Sequence, residues 1–126
     1  MSRILIVDDS GIARKFIRRC LEMSGCEDAT FFDAEDGAKA LEILQESPAD
    51  LILTDLNMPV MEGAEFLKRV KEDPKLKDIP VLLITSAENP AMAQQLADLG
   101  AYKVLGKPIS PADLFPILQE LSIIEG

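Results

Sequence analysis

The feature that most constrains this chain is the alternation of short apolar runs with segments of helical periodicity. Residues 4–7, 30–32, 51–54, 81–85 and 104–105 read as strands because they are short and rich in branched or aromatic apolar residues. The second and fifth runs are weak in themselves and are assigned mainly from their place in the alternation. Five strands alternating with five helices in 126 residues predict an α/β fold: a doubly wound (βα)5 sandwich, with a five-stranded parallel sheet and helices on both faces.

The segments between these runs place apolar residues three or four positions apart, as amphipathic helices do. Two helices have clear N-terminal signals, Asn89-Pro90 and Ser110-Pro111, because Asn and Ser cap helices and proline suits the first helical position. Four sets of residues are each predicted to share one helix face: Ile12, Phe16, Cys20 and Leu21; Leu41 and Leu44; Phe66, Leu67 and Val70; Leu96 and Leu99.

Composition excludes several classes of function. The chain has 13 Lys and Arg against 22 Asp and Glu, a net charge of −9, whereas nucleic-acid phosphates are bound by clustered basic residues. We therefore expect no direct nucleic-acid binding. No run approaches the ~18 apolar residues that span a bilayer, and no signal-peptide pattern is present, so we expect no membrane partner. Cys20 and Cys26 match no metal or disulfide spacing and are expected to be reduced, packed thiols in a cytoplasmic protein.

Polar side chains follow the predicted strands at their carboxyl ends, where open α/β sheets bind ligands. Asp8 and Asp9 follow the first strand, Asp55 the third, Thr85 ends the fourth and Lys107 follows the fifth. Each has a plain alternative when taken singly: a helix cap, a turn acid or an ordinary strand end. Strand order is not readable from the sequence, but an order with the first, third and fourth strands adjacent brings these side chains into contact.

The clustered acids predict a cation site. Two carboxylates ~4 Å apart repel by about 4 kcal/mol at an effective dielectric constant near 20, so three together require a compensating charge. Oxygen ligands without His or thiolate suit Mg²⁺ or Mn²⁺, and Mg²⁺ commonly bridges carboxylate and phosphate. Lys107 and Thr85 offer a charge and a hydroxyl to phosphoryl oxygens. The chemistry predicts that Asp8 and Asp9 form the metal site and that Asp55 is the nucleophile facing it.

Four motifs, ILIVDDS, DLNMPVMEG, LLITSA and the GKP at 106–108, occur in this order along the chain. In them the sequence closely resembles the receiver domain of two-component response regulators, of the small chemotaxis-regulator (CheY-like) type. The resemblance implies a flavodoxin-like fold and a single receiver domain over residues 1–126, with no output domain in this chain. It implies a phosphorylation-activated signalling switch that catalyses only its own phosphorylation and autodephosphorylation.

The resemblance also implies residue roles. Asp55 is expected to accept a phosphoryl group from a phosphohistidine of a sensor histidine kinase or phosphotransfer protein, in a Mg²⁺-dependent reaction. Asp9 and Asp55 are expected to bind the metal directly, Asp8 mainly through water, and the main-chain carbonyl of Asn57 as a further ligand.

Other implied features concern the phosphoryl oxygens and the relay of the signal. Thr85 and Lys107 are expected to contact the phosphoryl oxygens, the Lys107-Pro108 peptide to be cis, and Gly63 to fit a tight turn. The signal is expected to leave through the face of the fourth helix, fifth strand and fifth helix, toward an unidentified output protein or a missing output domain. We expect a monomer or weak dimer.

One position departs from the family pattern. The family usually has Tyr or Phe three residues before the lysine, where this chain has Val104, and its aromatic residue is Tyr102. Because side chains alternate along a strand, Tyr102 is expected on the same side as Val104. Phosphorylation is then expected to shift the loop after Thr85 and the fourth helix rather than flip an aromatic ring.

Three alternatives come from other classes. A haloacid-dehalogenase-type phosphatase needs an acid two residues after its nucleophile, where this chain has Asn57. A flavin-binding protein of flavodoxin type binds a phosphate after the first strand, where Asp8 and Asp9 repel it. A phosphorylation-independent receiver acting as a binding module normally lacks one of the acids or the lysine, and all are present here.

Overall fold

The structure, a computed structural model, describes residues 2–87 and 89–124. Strands and helices alternate along the chain as the sequence predicts. The strands are β1 (Arg3–Val7), β2 (Thr30–Ala34), β3 (Leu51–Asp55), β4 (Val81–Thr85) and β5 (Lys103–Gly106). The helices are α1 (Gly11–Met23), α2 (Gly37–Glu46), α3 (Gly63–Glu72), α4 (Pro90–Asp98) and α5 (Pro111–Glu120). Both weakly predicted strands, β2 and β5, are present and longer than their apolar runs.

The five strands form one parallel sheet in the order β2-β1-β3-β4-β5. The predicted doubly wound fold is therefore confirmed, and β1, β3 and β4 are adjacent. The chain moves to one side of β1 to form β2 and to the other side to form β3, so the winding reverses between β1 and β3. A crevice opens at the carboxyl ends of strands beside such a reversal. Sheet order thus brings the predicted polar strand ends to one edge.

Helices cover both faces of the sheet, and each face has its own apolar cluster. Along β1, Leu5 and Val7 belong to the cluster beneath α2, α3 and α4, whereas Ile4 and Ile6 belong to the cluster beneath α1 and α5. All five residues of β3 and of β4 are buried, as expected of central parallel strands covered on both sides. Strand ends are consequently held in a rigid frame. Of the described helices, none is long and apolar enough to cross a bilayer.

The predicted faces of the helices are correct for α3 but partly wrong for α1. Phe66, Leu67 and Val70 are all buried, whereas Ile12 is 84% exposed and Phe16 is half exposed. Cys20 and Leu21 of the predicted face are buried, and Ile17, three and four residues before them, completes the buried face in place of Ile12 and Phe16. Ile12 and Phe16 lie on a neighbouring strip of the helix surface that turns away from the sheet.

Smaller predictions about packing have mixed outcomes. Leu44 and Leu96 are buried as expected and Leu41 is partly buried, but Leu99 follows α4 as its C-cap and is exposed. Cys20 and Cys26 are buried free thiols, as predicted. The predicted caps of the last two helices are confirmed, because the Asn89 and Ser110 side chains accept main-chain hydrogen bonds at the starts of α4 and α5.

Candidate functional site

Three carboxylates meet at the carboxyl ends of β1 and β3. One oxygen each from Asp8, Asp9 and Asp55 lies within 4.8 Å of the others. The register of the two strands, with Val7 paired to Thr54, places Asp8 directly beside Asp55. Asp8 and Asp55 are buried and Asp9 is exposed. The acids singled out from the sequence are therefore brought together, two beneath the surface and one at its rim.

Asp8 is tightly held, yet one of its oxygens accepts no hydrogen bond among the described residues. Its N–H donates to Ala34 O at 3.1 Å, and its Oδ1 accepts from the Ser10 N–H at 2.9 Å. Oδ2 is buried and has no hydrogen-bond partner among the described residues. Burial raises the pKa of the Asp8 carboxyl above its ordinary value; the Ser10 N–H opposes the rise, and the charge of Asp55 adds to it. A buried carboxylate oxygen without a hydrogen bond costs stability, and a bound cation relieves that cost.

Lys107 supplies the ammonium that faces the acids. Its Nζ lies 3.2 Å from Asp55 Oδ1 and 3.8 Å from Asp8 Oδ2. The Lys107 N–H donates to Thr85 O at 2.8 Å, and the Lys107-Pro108 peptide is cis, as the resemblance implied. One ammonium against three carboxylates leaves net negative charge at the crevice. The site therefore attracts a further cation.

Thr85 ends β4 next to this cluster. Its side chain is fully buried, and its Oγ1 accepts a hydrogen bond from the Ala87 N–H at 3.1 Å. Parallel pairing sets Asp55 opposite Ile84, so Thr85 lies one residue beyond the acid on the neighbouring strand. A hydroxyl whose oxygen accepts from the loop still has its hydrogen to donate. Thr85 is thus joined to the β4–α4 loop and oriented at the same sheet edge.

The β3–α3 loop passes close to the main chain of Asp55. The Gly63 N–H donates to Leu56 O at 2.8 Å, and a Cβ on Gly63 would lie 2.5 Å from Asp55 O. Only glycine permits this approach, which agrees with the tight turn expected there. Asn57 is exposed in the same loop, two residues after Asp55.

The helix-cap alternative for Asp8 and Asp9 is wrong. Ser10 is the N-cap of α1, and its Oγ accepts from the Ala13 N–H at 3.1 Å. Neither acid therefore caps α1, and Asp8 Oδ1 accepts a hydrogen bond from the Ser10 N–H in the turn before the helix.

Tyr102 and Val104 are directed toward different helices. Val104 packs against the cluster beneath α2, α3 and α4. Tyr102 precedes β5, and its hydroxyl donates to Glu120 Oε1 of α5 at 2.7 Å. The Tyr102 N–H donates to Val81 O at 2.9 Å, so the main chain before β5 still pairs with β4, and the expectation that Tyr102 and Val104 face the same side stays a prediction.

Sequence reasoning missed Arg14, which contacts the site from α1. Its Nη1 donates to the main-chain oxygen of Asp8 at 2.7 Å, and its Nε donates to Asp33 Oδ2 at 2.7 Å. These contacts join α1 to the ends of β1 and β2. No local pattern marks such a residue, because its partners are brought to it by the fold.

The donor set fits a hard divalent cation. The cluster offers carboxylate oxygens alone, including Oδ2 of Asp8, which accepts no hydrogen bond among the described residues, and neither imidazole nor thiolate lies in it. Mg²⁺ and Mn²⁺ prefer such ligands.

Comparisons with known proteins agree with this geometry. The family model of the response regulator receiver domain matches residues 4–119. The two-component response regulator ORR3 of Oryza sativa subsp. indica is 39% identical over 112 residues, covering 88% of this chain and 83% of the relative. The structure of the chemotaxis response regulator CheY4 of Vibrio cholerae has a TM-score of 0.84 at 36% identity, covering 96% and 98% of the two chains. The Mn²⁺-bound form of response regulator Rcp1 has a TM-score of 0.77 at 30% identity, covering 97% and 92%.

Proposed function

This chain belongs to the response regulator receiver domain family and is a phosphorylation-activated signalling switch of the CheY type, and on that premise we propose that Asp55 is the residue that accepts the phosphoryl group. One observation carries the assignment: Asp55 Oδ1 lies 3.2 Å from Lys107 Nζ, and the same carboxylate belongs to the acid cluster with Asp8 and Asp9. The family match gives no support to the phosphatase alternative.

A divalent cation is part of this proposal, and receiver domains generally bind one in an acidic pocket. We propose that Mg²⁺ (or Mn²⁺) is held by Asp8, Asp9, Asp55 and the main-chain carbonyl of Asn57. The buried Asp8 Oδ2, which accepts no hydrogen bond among the described residues, and the Mn²⁺-bound form of the related Rcp1 support this ligand set. When bound, the cation supplies charge neutralisation for the carboxylates and for an incoming phosphoryl group.

The chain's own residues then carry the transfer. An Asp55 carboxylate oxygen attacks the phosphorus, an O–P bond forms, and the P–N bond to the donor imidazole breaks with its electron pair remaining on nitrogen. Lys107 stabilises the charge on the phosphoryl oxygens from its position beside Asp55. Thr85 donates its free hydroxyl hydrogen to one of those oxygens, which draws the Ala87 loop with it because the two are hydrogen bonded.

Loss of the phosphoryl group depends on water. Neither Asn57 nor Ala87, each two residues beyond a site residue, is an acid able to act as general base. We propose that autodephosphorylation uses a water positioned at Asn57, so that Asn57→Arg changes the lifetime of the phosphorylated form.

Partners follow from the family at a coarse level, because receiver domains interact with histidine kinases and phosphotransfer proteins. We propose that the donor is such a protein and that the output face comprises α4, β5 and α5. Exposed Leu99 and Tyr102 on or beside these elements support an interaction surface there. We also propose that residues 1–126 are a single receiver domain that acts in the cytoplasm as a monomer or weak dimer.

Intact-mass analysis after incubation with acetyl phosphate tests the central assignment. The wild-type chain should gain one phosphoryl group in Mg²⁺ and none in EDTA. Asp55→Asn should gain none, whereas Asp28→Asn, which changes an exposed acid before β2, should behave as wild type. Full modification of Asp55→Asn would overturn the assignment of the acceptor.

A further inference from the structure

The contacts of Arg14 with Asp8 and Asp33 extend the site beyond the residues in the sequence motifs. We propose that Arg14 is a positioning residue: it fixes the main chain of Asp8 and thereby sets the affinity of the acid cluster for Mg²⁺. This inference rests on the proposed function, because it concerns the cation site assigned there.

Asp8 is constrained at every polar atom except one. Its N–H is bonded to Ala34 of β2, its Oδ1 to the Ser10 N–H, and its main-chain oxygen to Arg14 Nη1 at 2.7 Å. Oδ2 is the atom left over: it is buried and accepts no hydrogen bond among the described residues, with Lys107 Nζ 3.8 Å away. The three hydrogen bonds of Asp8 therefore fix the direction in which Oδ2 points. Losing the Arg14 bond frees the peptide that leads from Asp8 into Asp9, so both carboxylates lose a defined position.

Arg14 is itself held in place. Its Nε donates to Asp33 Oδ2 at 2.7 Å, and its side chain is 22% exposed, so the guanidinium lies largely between α1 and the ends of β1 and β2. The two bonds leave from different nitrogens of one planar group. A lysine ammonium carries the same charge but is a single point, and it does not reproduce this fork. Replacing Arg14 by lysine therefore keeps the charge and removes the forked geometry, so it tests the two properties separately.

Charge and position predict opposite effects on cation binding. Arg14 Nη1 lies at the main-chain oxygen of Asp8, and removing a positive charge from the neighbourhood of the acid cluster strengthens its attraction for Mg²⁺. Removing a bond that orients a ligand weakens metal binding, and loss of such outer contacts lowers affinity by roughly 10–100-fold in metal sites. If Arg14 acts by position, neutral and charged replacements must both weaken binding. If it acts by charge, the neutral one must bind Mg²⁺ more tightly and the charged one must be unchanged.

The experiment is a titration of the whole chain with Mg²⁺ alone, followed by amide chemical shifts or calorimetry. Arg14→Gln and Arg14→Lys should each raise the dissociation constant about tenfold, and Asp33→Asn should raise it less. Arg18→Gln is the matched control, since Arg18 is one turn further along α1, is half exposed and pairs with Glu22. It should stay within about twofold of wild type, because its charge lies farther from the acids.

A second readout separates positioning from mere loss of structure. The rate of phosphorylation by acetyl phosphate should fall in Arg14→Gln at low Mg²⁺ and recover to the wild-type rate when Mg²⁺ saturates, with urea unfolding confirming that the variant is folded. Unchanged Mg²⁺ affinity in Arg14→Lys, or tighter binding in Arg14→Gln, overturns the inference while leaving the proposed function intact. Absence of Mg²⁺ binding by the wild-type chain overturns both.

Discussion

The amino and carboxyl ends of the parallel sheet carry similar charged side chains in different surroundings. At the amino end, Asp50 accepts from the Arg3 N–H at 2.8 Å, and Lys71 donates to the main-chain oxygens of Lys77 at 3.0 Å and Ile79 at 2.7 Å. Each of these charges is matched by main-chain partners just before a strand begins. Their bonds tie loops to the sheet and stabilise the fold.

At the carboxyl end the same residue types oppose one another. Asp8 and Asp55 share the ammonium of Lys107, Asp9 adds a third carboxylate, and Asp8 Oδ2 is buried without a hydrogen bond among the described residues. This arrangement costs stability until a cation arrives, which is a common property of functional sites. The contrast indicates that one end of the sheet serves folding and the other serves signalling, and it predicts opposite responses to mutation.

The largest expected effect concerns the backbone of the carboxyl end. Gly63→Ala places a Cβ 2.5 Å from Asp55 O and 2.8 Å from Leu56 Cα, so the loop must move. We expect a loss of about 3 kcal/mol in the free energy of unfolding, measured with urea. Gly11→Ala, whose Cβ meets nothing closer than Arg14 Nη2 at 3.6 Å, is the control. Equal stability of the two variants would indicate that the site tolerates backbone movement.

Addition of Mg²⁺ should act on one end of the sheet only. At about ten times its dissociation constant, Mg²⁺ should stabilise the wild-type chain by ~1.4 kcal/mol, because a ligand bound only by the folded state adds to stability. Asp50→Ala should keep this gain and Asp9→Ala should lose most of it, as measured by urea unfolding in Mg²⁺ and in EDTA. A full gain in Asp9→Ala would place the cation elsewhere.

Without metal, substitutions at the two ends should change stability in opposite directions. Asp8→Asn removes a buried charge that Asp55 repels and should raise the free energy of unfolding by about 1 kcal/mol. Asp50→Ala removes an acceptor of the Arg3 N–H and should lower it by about 1 kcal/mol. Urea unfolding in EDTA measures both. A lower unfolding free energy for Asp8→Asn than for the wild-type chain would contradict the contrast between the two ends.

The advantage of Asp8→Asn should depend on pH. Burial raises the pKa of Asp8 in the folded chain above its ordinary value of 3.8, so the folded state binds this proton more tightly than the unfolded chain does. The cost of Asp8 is therefore fully present above the raised pKa and disappears as the pH falls through it toward 3.8. The difference in unfolding free energy between variant and wild type should shrink over that window in metal-free buffer. If the difference in unfolding free energy grew as the pH fell, the predicted upward shift of the Asp8 pKa would be contradicted.

The smallest effect is expected at Tyr102, which lies before β5 at the amino end. Its hydroxyl bond to Glu120 is exposed, so Tyr102→Phe should barely change stability. The hydrogen bond to Glu120 raises the pKa of the Tyr102 hydroxyl in the folded chain.

In NMR spectra a beryllofluoride mimic of the phosphoryl group should shift the amides of Thr85 and Ala87 and leave the Tyr102 ring unchanged. A large shift of the Tyr102 ring signals would indicate that Tyr102 is coupled to Thr85 and acts as an aromatic switch.

The elements predicted best are those with continuous apolar runs. β3 and β4 are buried at every position, so their sequences show the burial directly. β2 and β5 contain few buried residues, and only their place in the alternation identified them. In α1 the periodicity included Ile12 and Phe16, which are exposed, because several apolar strips on one helix satisfy the same spacing and only packing selects one.

The sequence by itself determined the fold class, the family and the polar residues at the strand ends, since local apolar runs and short motifs encode them. Only the tertiary structure decided that Asp8 Oδ2 accepts no hydrogen bond among the described residues, that Lys107 Nζ lies 3.2 Å from Asp55 Oδ1, and that Ser10 rather than Asp8 caps α1. Strand order and side-chain direction arise from the packing of distant segments. No local pattern records which atoms meet when β1, β2 and α1 are assembled, and that is why Arg14 became visible only in the folded chain.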